Sequence, residues 1–272
     1  MARLLIVLLS VALLCGACGS GDGEASSASR AESEPPIELP EQAATELGVA
    51  NLEQGDGLSL EPTDTVIVDY VGRSLKTGLV FDSSWQRDQP TAFGLDQVMV
   101  GWKEGLAGMN EGGRRQLTIP ADKGFGQDPP EDSGIESDDT LVFIVDLHRI
   151  VRAPEVVLPD VPATELLVED LVEGISVPAT ADSRIKVHYT GVSLSSGLVF
   201  DSSWERGEVA EFTFDEAVLQ GWRDGLVGML VGGRRRLVVP PSLAFGAEPP
   251  ADTGVAENDT LVFVIDLLGV SE

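Results

Sequence analysis

The sequence has few of the side chains that enzymes use for covalent or metal chemistry. Both cysteines, Cys15 and Cys18, lie close to the N-terminus, so the body of the chain can hold neither a disulfide nor a cysteine-ligated metal. There are only two histidines, and 45 acidic residues face 18 basic ones. The net charge of -27 leaves no excess of cations to neutralise phosphates. This composition argues against a nucleic-acid partner and disfavours binding to anionic lipid headgroups.

An internal repeat organises most of the 272 residues. Four segments recur at an offset of 119 or 120 positions: 78–85 at 197–204, 101–102 at 221–222, 112–115 at 232–235, and 139–143 at 259–263. Units of this length are large enough to close their own cores, unlike the units of a solenoid. The repeat therefore predicts two duplicated domains over 41–150 and 160–272, joined by a proline-containing linker over 151–159.

The two copies carry the same excess of negative charge. Acidic and basic residues number 20 and 8 in 41–150, and 19 and 7 in 160–272, which gives each copy a net charge of -12. Like-charged domains do not adhere through their surfaces at large. We expect a loose arrangement of the domains unless a specific apolar interface joins them.

Within one copy the hydrophobic pattern favours strands. Residues 66–71 and 117–119 alternate as half-buried strands do, and 140–150 is apolar on both faces, as in a central strand. Only Val98, Trp102 and Leu106 follow helical spacing, with Asp96 as the candidate N-cap. The pattern predicts the α+β class, with a mostly antiparallel sheet wrapped over one short helix.

The polar motifs do not match the pattern of a catalytic, phosphate-binding or calcium-binding site. His148 aligns with Leu268 and His188 with Asp69, so neither histidine belongs to a site shared by the copies. The Gly-Gly-Arg-Arg turn at 112–115 lacks the lysine and hydroxyl ending of a phosphate loop. The acidic pair at 138–139 lacks the spacing of a calcium loop, and we expect it to be a solvated loop.

An aromatic set with one aspartate does recur. It comprises Tyr70, Phe81, Asp82, Trp102, Phe125 and Phe143 in the first copy and Tyr189, Phe200, Asp201, Trp222, Phe245 and Phe263 in the second. Aromatic residues also repeat simply because cores repeat, so any one of them has a purely structural explanation. A tryptophan on the single helix can either fill the core or form the floor of a pocket for a small apolar ligand.

The order and spacing of these motifs resemble those of FKBP-type peptidyl-prolyl cis-trans isomerases, the macrolide-binding immunophilins. The second copy carries the resemblance at 187–191, 200–203, 221–222, 244–246 and 260–263, and the first copy matches in register. The resemblance covers both copies nearly end to end. It implies two tandem domains, each a curved antiparallel sheet of about five strands around one short helix, with a proline pocket between sheet and helix.

The resemblance also implies roles for individual residues. The pocket floor falls on Trp102 and Trp222, and the walls fall on Tyr70, Phe81, Phe143, Tyr189, Phe200 and Phe263. The polar edge falls on Asp82 with Arg87 and on Asp201 with Arg206. The backbone amide that receives a ligand carbonyl falls within Val98 and Met99 and within Val218 and Leu219, and the apolar tip of a long loop falls on Ile135 and Val255.

Two departures from the family pattern occur in both copies. A wall aromatic is replaced near Thr91 and Ala210, and a loop tyrosine whose hydroxyl donates to ligands is replaced by Phe125 and Phe245. We therefore expect macrolide immunosuppressants to bind only weakly. A non-catalytic peptide-binding or chaperone module on the same fold remains the alternative.

The N-terminus has the pattern of an export signal. Arg3 precedes a short apolar run over 4–14 that is too short to span a bilayer. The exit, at 15–18, resembles a bacterial lipoprotein signal, although Cys15 stands where such signals usually have leucine. We expect a signal peptide over 1–18 that ends at the lipid acceptor Cys18, and a disordered tether over 19–40. The alternative is an ordinary cleaved signal with a chance cysteine.

These expectations combine into one functional hypothesis. The protein is expected to rotate X-Pro bonds in unfolded or nascent exported polypeptides, without a metal or a cofactor. It is expected to act from the extracytoplasmic face of a bacterial membrane, held there by its N-terminal lipid.

Overall fold

The computed structural model describes residues 33–214, 219–251 and 253–271. The first copy contains β1 (Gly48–Glu53), β2 (Thr65–Ser74), β3 (Val80–Ser83), β4 (Thr91–Gly94), α1 (Val100–Leu106), β5 (Arg114–Ile119) and β6 (Leu141–Val151). The second contains β7 (Leu167–Val172), β8 (Arg184–Ser193), β9 (Val199–Ser202), α2 (Ser203–Arg206), β10 (Ala210–Thr213), α3 (Gln220–Leu226), β11 (Arg234–Val239) and β12 (Leu261–Ser271). Each copy also has one short 3-10 turn, Ala121–Lys123 and Pro241–Leu243.

Each copy forms one six-stranded antiparallel sheet. In the first, β6 lies between β5 and β2, β1 pairs with β5, and both β3 and β4 pair with β2. The second sheet repeats this arrangement, with β12 in the central place. The predicted α+β class and the central position of 140–150 are confirmed. The sheet has six strands instead of about five because the segment after Arg87 contributes the short strand β4.

The helix packs directly on the sheet because glycines face it. A Cβ atom on Gly101 would lie 2.4 Å from Ile119, and one on Gly105 would lie 2.7 Å from Leu117. This close approach buries Trp102 between the helix and the strands. The expected N-cap at Asp96 is wrong: the helix begins later, and the carbonyl of its N-cap residue Met99 accepts the first helical hydrogen bonds.

The acidic pair in the long loop is only partly solvated. Asp138 is exposed, but Asp139 is buried and accepts hydrogen bonds from the hydroxyl of Ser74 and the amide of Lys76. Asp259 makes the equivalent contacts in the second copy. The expectation of a wholly solvated loop is therefore wrong for Asp139, whose carboxylate fastens the end of the long loop to β2.

The segment before the first domain packs against it. Ile37 is buried on the outer face of the sheet beside Trp85, and its carbonyl accepts a hydrogen bond of 3.1 Å from Arg73. The expected tether over 19–40 thus differs from the structure in its described part, 33–40, because the apolar side chains there pack on a hydrophobic surface. The remaining N-terminal expectations, including Cys18, fall outside the described residues. Within the described ranges, no helix is long and apolar enough to cross a membrane.

The two copies meet at a specific interface. Ile67, Val151 and Leu268 form a shared apolar cluster. Beside it, Arg149 donates hydrogen bonds of 2.6 Å to the Gly232 carbonyl and 2.8 Å to the carboxylate of Asp266. The like charges of the copies predicted a loose arrangement unless a specific apolar interface joined them. The structure contains such an interface.

Candidate active site

Four rings form the base of the site in the first copy. The indole of Trp102, on α1, is met edge to face by Tyr70 from β2, Phe93 from β4 and Phe143 from β6, with ring centroids 5.3 to 5.5 Å away. Trp102, Tyr70 and Phe143 are at most 5% exposed. The predicted floor and inner walls are therefore a continuous aromatic surface that belongs to the hydrophobic core.

The second copy reproduces this packing. Trp222, on α3, lies 5.1 Å from Tyr189, 5.4 Å from Phe212 and 5.3 Å from Phe263, again edge to face. Aromatic rings can pack against one another in many geometries. Because the rings around Trp102 and Trp222 adopt the same one, the arrangement is specified by the fold.

Half-buried apolar side chains surround each base. They are Phe81, Val98, Met99, Phe125 and Ile135 in the first copy, and Phe200, Leu219, Phe245 and Val255 in the second. The structure thus brings the predicted pocket residues together around each tryptophan. Val218 lies outside the described residues.

The amide of Met99 is available at the edge of this surface. Met99 precedes the helix in an extended conformation, and its carbonyl accepts hydrogen bonds from Trp102 and Lys103. In the part of the chain that the structure describes, no group accepts a hydrogen bond from the Met99 amide.

A charged cluster forms the polar edge of each site. The hydroxyl of Tyr70 donates to Asp82, and Arg87 donates to Asp82 and, over 2.9 Å, to the Tyr70 hydroxyl. The guanidinium also lies over the Tyr70 ring, 5.5 Å from its centroid. Tyr189, Asp201 and Arg206 form the same cluster in the second copy, where the tyrosine hydroxyl lies 2.5 Å from the carboxylate.

Burial and the aspartate together keep the tyrosines protonated. Desolvation, followed by the hydrogen bond to Asp82, raises the pKa of Tyr70 from 10.0 to about 12. Tyr189 shows the same rise in pKa, to about 12, for the same reasons with Asp201. Each hydroxyl therefore remains a donor to its carboxylate even near pH 10, where an ordinary tyrosine loses its proton, and it fixes the orientation of the negative charge.

Sequence reasoning missed two members of the site. Phe93 and Phe212 pack against the floor tryptophans and were not predicted as site residues. Both were visible as a pair in the repeat, at an offset of 119. The absence of a wall aromatic near Thr91 stays a prediction. In the structure, the Thr91 hydroxyl accepts a hydrogen bond of 3.2 Å from Arg87.

The histidines lie outside this aromatic surface. His148 contacts the carboxylate of Asp69 at 2.7 Å, and His188 stacks on Trp204 with ring centroids 3.9 Å apart. Among the described residues, no group of three or more His, Cys, Asp or Glu side chains is placed to hold a metal ion.

The chain has only two tyrosines, so a titration of the native protein reports the two sites alone. We expect the tyrosinate absorbance to rise with a midpoint near pH 12, against about 10 in denaturant. Since the folded pKa is raised, the stabilisation is complete below about pH 10 and is lost as the pH rises towards 12. Asp82→Asn with Asp201→Asn should lower the native midpoint. An unchanged midpoint, with circular dichroism showing a folded protein, would contradict the assigned geometry.

Known proteins with the same pattern identify the family. The model of the family described as "FKBP-type peptidyl-prolyl cis-trans isomerase" matches residues 57–148 and 176–268. A "Probable FK506-binding protein" of Corynebacterium glutamicum is 40% identical over 119 residues, which cover 43% of this chain and 98% of that protein. An "FK506-binding protein" of Streptomyces anulatus is 40% identical over 122 residues, covering 44% and 98%.

A longer relative matches across both copies. "Peptidyl-prolyl cis-trans isomerase FKBP9" of Homo sapiens is 32% identical over 222 residues, which cover 77% of this chain and 35% of that protein. The family model matches both copies, each with its own aromatic floor and polar edge, and the chain therefore belongs to the FKBP-type peptidyl-prolyl cis-trans isomerase family.

Proposed function

We propose that both sites rotate X-Pro bonds in unfolded or nascent exported polypeptides. The repeated Tyr-Asp-Arg edge beside a tryptophan floor is the observation that carries this proposal, because it is complete in both copies. Rotation of a peptide bond meets a barrier of about 18–20 kcal/mol. The uncatalysed exchange at proline takes tens to hundreds of seconds and limits folding.

The site lowers this barrier by its environment. The planar amide is more dipolar than the twisted one, so transfer from water to an aromatic surface removes hydration that favours planarity. In our proposal the proline ring lies on Trp102 between Phe81 and Phe143, and the Met99 amide binds a neighbouring carbonyl. Rotation transfers no proton, so no side chain has to act as an acid or a base.

The polar edge supplies a fixed field next to the rotating bond. Asp82 is held by two donors, Tyr70 and Arg87, and does not have to reorient while the carbonyl swings. Preorganised groups of this kind favour the transition state because they are oriented before the reaction begins. Asp201 has the same two kinds of partner in the second copy.

Isomerisation should depend on the paired aspartates. Asp82 and Asp201 have side chains that are 39% and 40% exposed, so their replacement leaves the core intact. Asp82→Asn with Asp201→Asn should lower kcat/KM on a proline tetrapeptide by at least about tenfold, or about 1.4 kcal/mol. Either single variant should retain the activity of the other copy.

Exposed carboxylates outside the sites provide the matched control. Glu46→Gln with Glu165→Gln replaces one exposed acid in each copy and should leave turnover unchanged. Full activity in a folded double aspartate variant would overturn the assigned role. No activity in the wild-type chain, with retained peptide binding, would favour the non-catalytic module, to which the departures at Phe125 and Phe245 also point.

Macrolides of the FK506 type are proposed as weak ligands. Phe125 and Phe245 pack at the rim but have no hydroxyl, so each site lacks one donor. A hydrogen bond is worth about 0.5–1.5 kcal/mol net, which is at most about tenfold in Kd. Phe125→Tyr with Phe245→Tyr should therefore tighten binding by up to this factor in calorimetry. Phe93→Tyr, in the inner wall, is the control and should bring no such gain.

Lipid anchorage is proposed from the sequence around Cys18. Gly16 and Ala17 are the small residues that precede a lipid-acceptor cysteine in lipoprotein signals. We expect the mature protein to begin at an acylated Cys18 and to sediment with membranes. Cys18→Ser should leave the protein unprocessed or release it, whereas Cys15→Ser should leave it anchored. Mass spectrometry of the N-terminus decides the matter, and an unmodified N-terminus at another residue would contradict it.

A further inference from the structure

A cleft between the two copies begins where the first site ends. It has a volume of about 540 Å³ and is lined from the first copy by Arg87, Pro90 and Thr91 and from the second by Lys186, Val209 and Val270. Arg87 belongs to both places, because its guanidinium holds Asp82 and the Tyr70 hydroxyl at the edge of the first site. The cleft and the first site therefore adjoin each other at Arg87.

The walls of the cleft are fixed by the interface between the copies. Arg149 binds the buried carboxylate of Asp266, and Arg234 donates a hydrogen bond of 2.6 Å to the carbonyl of Arg152. At the cleft itself, the amide of Gln89 donates a hydrogen bond of 3.3 Å to the carbonyl of Val270. A space bounded by such contacts keeps its shape when a ligand enters, which lowers the entropic cost of binding.

The lining suits a polypeptide better than a small apolar ligand or an anion. Apolar side chains such as Pro90 and Val209 alternate with polar ones such as Gln89 and Gln97. Lys186 lies 3.8 Å from the carboxylate of Glu211, and Arg87 is paired with Asp82, so the cleft has little net charge in a strongly acidic protein. One wall includes Thr91 and Ala92 of β4, which pairs with β2 alone among the described strands, and an extended chain can add to a strand edge of this kind.

We propose that this cleft binds the residues that flank the proline of a polypeptide held in the first site. The proposal rests on the proposed function of that site and adds a preference for long substrates. The second site lacks this connection: Val209 and Glu211, at β10, line the same cleft, but Arg206 at the polar edge of that site is not among the walls that the described residues form. The two copies would thus share one reaction but differ in the length of chain that they recognise.

The test compares peptides of one proline sequence with different extensions. A proline tetrapeptide, the same peptide with six more residues on the N-terminal side, and the same with six more on the C-terminal side are assayed with the full chain carrying Asp201→Asn. Because the cleft opens on one side of the site, one extension should lower KM by about tenfold and the other should not. The tetrapeptide gives the baseline.

One substitution should remove the advantage of the extended peptide. Val209 is 47% exposed in the cleft, and Val209→Trp would fill part of it. Val168→Trp is the matched control, because Val168 is 46% exposed on β7, at the opposite edge of the second sheet. Val209→Trp should abolish the tenfold gain and leave tetrapeptide turnover unchanged, whereas Val168→Trp should change neither.

A second measurement does not depend on turnover. A photoreactive residue in the favoured extension should crosslink to residues near 186, 209 or 268–271, as mapped by mass spectrometry, and the tetrapeptide should compete. Equal KM values for all three peptides, a gain that survives Val209→Trp, or crosslinks elsewhere would each overturn the cleft proposal. A failure of the catalytic proposal would instead appear as no turnover of any peptide, with the crosslinking result still deciding the cleft.

Discussion

The close seating of one short helix on the sheet is the constraint on which each site depends. Gly101 and Gly105 present no side chain to β5, so Ile119 and Leu117 fill the space that two Cβ atoms would need. The helix has only seven residues and could not hold its position by its own hydrogen bonds. Arg115 of β5 also holds the helix in place, since it donates hydrogen bonds to the carbonyls of Gly105 and Ala107 at the end of the helix.

This seating decides what the tryptophan can do. Because the helix lies against the strands, Trp102 meets three rings edge to face and only 5% of its surface is exposed. The structure confirms that it is a core residue, and in the proposed function the same ring is also the base of the ligand surface. A rigid floor of this kind also carries the polar edge, because Tyr70 packs on the indole with its ring and holds Asp82 with its hydroxyl.

Much of this could be predicted from the repeat, and the rest shows where sequence reasoning stops. Residues such as Tyr70 and Asp82 were found because the same residue types occur at the equivalent positions of the second copy. Phe93 was missed because it stands in a segment of altered length, and the burial of Asp139 was missed because a loop carboxylate gives no sign of the hydroxyl that binds it. The packing of Ile37 on Trp85 depends on a surface formed by distant strands, which local composition does not reveal.

The apolar part of the interface between the copies follows the opposite rule, because its buried residues stand at positions where the copies differ. Ile67, Val151 and Leu268 are apolar, while their counterparts at the same places in the other copy are Lys186, Ser271 and His148. Arg149, which reaches Asp266 across the interface, has Gly269 as its counterpart. Each face is therefore apolar in only one copy, which allows one contact between the domains and disfavours its repetition by a further copy. Duplication has preserved the residues of the sites, whereas divergence at these few positions supplies the apolar cluster and the Arg149 hydrogen bonds that help to join the two domains.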